Sequence, residues 1–123
     1  MARILLVDDQ KDVRFVMSEL LDDMGHEVLE ADSAASCLNQ FVDIAPDVML
    51  LDLHMPVMSG QELLERLRRD HPLSSLSIIV LTGSKSAGDL SAIKELGIQG
   101  LIHKPWTPEE VEAQLEGALS AAA

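Results

Sequence analysis

Five short apolar runs punctuate the chain: Ile4–Val7, the weaker Glu27–Glu30, Val48–Leu51, Ile78–Leu81 and Leu101–Ile102. Three of them are nearly unbroken, the pattern of parallel strands covered on both faces. The segments between them change period. Val13, Val16, Met17, Leu20, Leu21 and Met24 recur at helical spacing and predict one apolar stripe, with Gly25 where a helix stops. Leu38, Phe41 and Val42 mark a second helix that closes before Pro46, and Leu63, Leu64 and Leu67 a third that starts near Ser59 or Gly60. Leu90 and Ile93, ending at Gly97, mark a weaker fourth. Val111, Leu115, Ala118 and Leu119 mark a fifth, opened by Thr107 as N-cap and Pro108 at the first helical position. Strand and helix alternate five times without a linker or repeat. The pattern predicts an α/β domain over residues 1–123: a parallel sheet, right-handed crossovers and helices on both faces, with no effector domain following.

Composition narrows the classes. A chain of 123 residues suffices for one real core. No apolar run approaches the roughly 20 residues of a membrane span, and no signal-peptide pattern precedes Asp8, so neither membrane nor secretion is expected. One cysteine, Cys37, excludes an internal disulfide framework and favours a cytoplasmic setting. It is expected to be a small, partly buried residue of the second helix. The formal charge of −12 argues against nucleic-acid binding, which needs a basic face. Most of that acidity reads as solubility, including Glu109, Glu110, Glu112 and Glu116 on the wet face of the last helix.

The ends of the strands carry the chemistry. Ligands of a doubly wound sheet bind outside the carboxyl ends of its strands. Those ends read Asp8-Asp9, Asp52, Thr82 and Lys104-Pro105. Three carboxylates, a hydroxyl and an ammonium thus share one rim. The carboxylates would raise one another's pKa unless a cation intervened, and hard oxygen donors suit Mg²⁺ better than zinc or copper. His26, His54, His71 and His103 lack metal-ligand spacing. A carboxylate beside Mg²⁺ can attack phosphorus, while an ammonium and a hydroxyl neutralise the transferring oxygens. The plainer alternatives are an N-cap role for Asp8 or Asp9 and turn roles for Thr82 and Lys104.

Four stretches, in order, resemble bacterial response-regulator receiver domains: Ile4 to Asp9, Asp52 to Gly60, Val80 to Gly83, and His103 to Trp106. The resemblance runs the whole length and implies a flavodoxin-like (βα)5 fold with sheet order 2-1-3-4-5. By similarity Asp52 is the phosphoacceptor, Asp9 a direct Mg²⁺ ligand and Asp8 the holder of metal-bound water. The backbone carbonyl of His54 would complete the metal's ligands. Thr82 would be the switch hydroxyl, Lys104 the ion-pair partner of the phosphoryl group, and the Lys104–Pro105 bond cis. A histidine kinase or phosphotransfer protein would be the donor, and an unknown protein the downstream target.

The chain departs from the family's usual residues, and four positions matter. Leu101 stands where an aromatic usually swings inward, Gly83 where alanine is commonest, and His54 and Ser84 where members tune phosphoryl lifetime. Leu101 favours an alternative, a pseudo-receiver acting as an interaction module without phosphorylation. A turnover phosphatase is disfavoured because Leu53 and His54, not a second acid, follow Asp52. A flavin-binding protein is disfavoured because no phosphate loop follows the first strand.

Overall fold

The computed structural model describes residues 2–70, 76–83, 91 and 93–122. Five strands, β1 (Arg3–Val7), β2 (Glu27–Ala31), β3 (Val48–Asp52), β4 (Ser77–Thr82) and β5 (Gly100–His103), form one parallel sheet of order β2-β1-β3-β4-β5. The helices described end to end are α1 (Lys11–Asp23), α2 (Ala34–Ile44), α3 (Gly60–Asp70) and α4 (Pro108–Ala122). Helical residues at 91 and 93–95 belong to the weaker helix anticipated before Gly97, so α4 is the fifth helix of the pattern. Leu90, Ser84 and His71 lie outside the described residues.

Strand alternation sorts the core into two layers. Leu5, Val7, Met49, Leu51, Ile78 and Val80 pack with Cys37 and Phe41 of α2 and Leu63, Leu64 and Leu67 of α3. Ile4, Leu6, Val48, Leu50, Ile79 and Leu81 pack with Met17 and Leu21 of α1 and Val111, Leu115 and Ala118 of α4. Burying each such Leu or Ile stabilises by roughly 1.5–3 kcal/mol. Because both faces are covered, β1, β3 and β4 carry unbroken apolar stretches, Ile4–Val7, Val48–Leu51 and Ile78–Leu81. The edge strand β2 is half-buried, which explains its weak signal.

Two readings need correction. Cys37 is fully buried, beside Met49, because its face of α2 lies under the sheet. Val16 is exposed, with Phe15 beside it, so the α1 stripe is narrower than its spacing implied: Met17 and Leu21 alone are buried. The helix signals do mark real ends. Gly25, at φ 90, donates to the Asp22 carbonyl and His26 to that of Leu21, which closes α1. Thr107 Oγ1 accepts the Glu110 N–H and caps α4. All the strand pairs are parallel, so every carboxyl end falls on one edge.

Candidate functional site

The central strands β1 and β3 are neighbours, yet the chain leaves β1 toward β2 on one side and returns through β3 toward β4 on the other. Loops diverge at that point and leave a crevice at the carboxyl edge. Asp8 and Asp9 follow β1, Asp52 ends β3, Thr82 ends β4 and Lys104 follows β5. Carboxylate oxygens of Asp8, Asp9 and Asp52 all lie within 4.8 Å of one another. Lys104 Nζ bridges two of them, 3.3 Å from Asp8 Oδ2 and 3.3 Å from Asp52 Oδ1. Its backbone N–H donates to the Thr82 carbonyl at 2.8 Å, and the Lys104–Pro105 bond is cis. Thr82 is fully buried beneath the rim. The structure thus brings the Asp8, Asp9, Asp52 and Lys104 side chains together, with Thr82 at the end of the neighbouring strand.

Asp8 is buried and accepts the Gln10 N–H at 2.9 Å; Asp52 is buried and accepts the His54 N–H at 3.3 Å. Neither Asp8 nor Asp9 is the N-cap of α1: Gln10 holds that position without a side-chain cap bond. Arg14 supports the loop from behind, donating from Nη1 to the Asp8 carbonyl at 2.8 Å and from Nε to Glu30 at 3.2 Å. That support was not legible in the sequence, where Arg14 reads as a polar residue of an amphipathic helix.

Burial holds the Asp52 carboxyl above the usual carboxylate range, and the Asp8 charge adds to the rise; the Lys104 charge, the His54 N–H and the Lys104 hydrogen bond oppose it. Three carboxylates and one ammonium leave two formal negative charges on a rim of oxygen donors. One divalent hard cation neutralises that excess, so the donor set fits Mg²⁺.

The loop after Asp52 folds back tightly. Met58 donates to the Pro56 carbonyl at 2.9 Å across Val57, whose φ of 70 is unusual for a β-branched residue. Val57 is fully exposed, so its own burial does not offset the strain. Ser59 Oγ accepts the Glu62 N–H at 3.2 Å as α3 begins, and the Gly60 N–H donates to the Leu53 carbonyl at 2.9 Å. Met55 is buried and Met58 half-buried at this rim, whereas His54 and His103 are exposed, as anticipated. Leu101 is half-buried against the α2 and α3 layer, and its N–H donates to Gln114 of α4. Burial pushes the Cys37 thiol up to about 12, which leaves it inert.

Comparison with known proteins agrees with this geometry. A family model described as "Response regulator receiver domain" matches residues 4–116. The phosphate regulon transcriptional regulatory protein PhoB of Pseudomonas aeruginosa is 36% identical over 94% of this chain and 51% of its own length. The probable transcriptional regulator ycf27 of Guillardia theta is 32% identical over 95% of this chain and 45% of its own. The chain therefore spans about half the length of such curated relatives. Among solved structures, the chemotaxis protein CheY4 of Vibrio cholerae superposes with a TM-score of 0.86 at 31% identity, covering 94% of this chain and 97% of that one. A putative response regulator of Chloroflexus aurantiacus gives 0.89 at 30% identity, covering 97% and 98%.

Proposed function

Because the chain belongs to the response-regulator receiver family, we propose that Asp52 is its phosphoacceptor, that Mg²⁺ is held beside it, and that phosphorylation gates a protein-interaction surface. Receiver domains are signal switches that take a phosphoryl group on aspartate; what is proposed is the assignment of that role to these residues. The observation that carries it is the Lys104 ammonium bridging Asp8 and Asp52 at the rim where the third carboxylate also stands.

Asp9, Asp8, Asp52 and the His54 carbonyl would hold the cation, which, when bound, supplies positive charge to the phosphoryl oxygens. Asp52 Oδ is the nucleophile. The bond from phosphorus to the donor's imidazole nitrogen breaks, the bond from Oδ to phosphorus forms, and the leaving nitrogen takes a proton. Lys104 leaves Asp8 to pair with the incoming phosphoryl oxygens, and the Thr82 hydroxyl donates to another of them. Both residues sit on β4 and beyond β5, so their movement shifts the segments those strands carry. The donor would be a histidine kinase or phosphotransfer protein, the setting cytoplasmic, and the target a protein. Like other receivers the chain would hold one phosphoryl group rather than turn over substrate.

The division of roles is testable by titrating Mg²⁺ and then beryllofluoride, with Trp106 fluorescence as readout. Lys104→Ala should bind Mg²⁺ at least as well as the native chain, since a neighbouring positive charge is gone, yet bind beryllofluoride on the order of tenfold more weakly. Loss of Mg²⁺ binding in Lys104→Ala would overturn the assignment.

A further inference from the structure

Gly60 opens α3 directly behind Asp52. A Cβ built on it would stand 2.2 Å from the Asp52 carbonyl oxygen, 2.6 Å from Leu53 Cα and 2.9 Å from the Asp52 carbonyl carbon. All three are backbone atoms, which cannot rotate away. The glycine is not there for its conformational freedom: Gly25 and Gly97 occupy the left-handed region, and Gly60 does not. Space also distinguishes it, because a Cβ at Gly25, Gly83, Gly97 or Gly117 would meet nothing within 4 Å, and at Gly100 it would meet only side chains.

We propose that Gly60 is a positioning residue of the phosphoacceptor: its missing side chain lets α3 press on the backbone of residues 52–53, and that contact sets where the Asp52 carboxylate and the His54 carbonyl stand. The inference rests on the function proposed above. The helix cannot retreat to make room. Leu63, Leu64 and Leu67 are buried under the sheet, the Gly60 N–H is bonded to the Leu53 carbonyl, and Arg68 ties the far end of α3 to the Leu76 and Gly97 carbonyls. The acceptor strand must therefore yield, by about 1 Å, before a Cβ fits. Mg²⁺ demands near-ideal placement of its oxygen ligands, and misplacement on the order of 1 Å costs about a hundredfold in rate.

The test uses Gly60→Ala, with Leu64→Ala as a control that loosens the same helix from its core face without pressing on residues 52–53. At a temperature where all three proteins are folded, Mg²⁺ affinity is measured calorimetrically. Phosphorylation by acetyl phosphate is followed by intact mass as a function of donor concentration. Gly60→Ala should weaken Mg²⁺ binding by about tenfold or more and lower the maximal phosphorylation rate on the order of a hundredfold. Leu64→Ala should lower the melting temperature and leave both values within about twofold. Native affinity and rate in Gly60→Ala, or equal losses in both variants, would overturn the proposal. Should Gly60→Ala not fold in buffer, the titration is repeated on all three proteins in trimethylamine N-oxide, where a refolded Gly60→Ala with native Mg²⁺ affinity overturns it equally. Failure of the native chain itself to bind Mg²⁺ or take up phosphate would instead reject the underlying function.

Discussion

Asp52 is an anion held where an anion is costly. It is almost wholly buried, faces Asp8, and has one ammonium in partial compensation. Its carboxyl lies above the ordinary range in the folded chain, so the charged form works against folding. A raised carboxyl contributes stability that is present at low pH and lost as pH rises through the raised value. In metal-free buffer at pH 7, Asp52→Asn should therefore melt higher than the native chain by roughly 2–6 °C. That difference should shrink on acidification toward the carboxylate range, as the native Asp52 takes up its proton. A lower melting temperature for Asp52→Asn at pH 7, read by calorimetry, would mean that the Lys104 ion pair outweighs burial and repulsion. The sequence made Asp52 conspicuous because an acid ended an apolar run. It could not show how deeply that acid is buried, which depends on how the neighbouring strands and α3 close around it.

The elements were legible in proportion to how completely they are buried. β1, β3 and β4 stood out because both of their faces are covered, while β2 faded because an edge strand can keep polar residues. The stop at Gly25 and the start at Thr107 could be read directly, since each has a backbone or side-chain reason to bound a helix. The turn at Val57 could not: nothing about a valine announces a positive φ, and only the path from Asp52 back to Gly60 requires it. Arg68 was equally silent. It joins α3 to the start of β4 and the approach to β5, donating to the Leu76 and Gly97 carbonyls and to Gln99 Oε1, which also accepts the Ile78 N–H. Burial lowers its pKa, but a guanidinium is not deprotonated in proteins, so these bonds are charge-assisted. Arg68→Met should keep the aliphatic packing, lose these charge-assisted bonds and lower stability by about 1.5–3 kcal/mol. A shift in the urea midpoint at unchanged slope would report it. An unchanged midpoint would show that water replaces the guanidinium without loss.

At the scale of the molecule, function follows from topology. Parallel strands put all their carboxyl ends on one edge, and the sheet order places β1 and β3 side by side at the centre of it. Acids at those two ends, a hydroxyl at the next and a lysine at the last become one site although Asp8 and Lys104 are 96 positions apart. The convergence could be argued from the sequence, because alternation alone predicts a parallel sheet; the strand order came only with the family resemblance. Among the described residues no helix is long and apolar enough to cross a membrane. Among the described residues these groups form a charged crevice, and on the proposed reading it takes the phosphoryl group. The most direct measurement is the intact mass of the native chain and of Asp52→Asn after incubation with acetyl phosphate, each with and without Mg²⁺. A single phosphoryl adduct is predicted for the native chain, dependent on Mg²⁺ and absent from Asp52→Asn. An adduct that persists in Asp52→Asn, or a folded native chain that takes up none in Mg²⁺, would contradict the account.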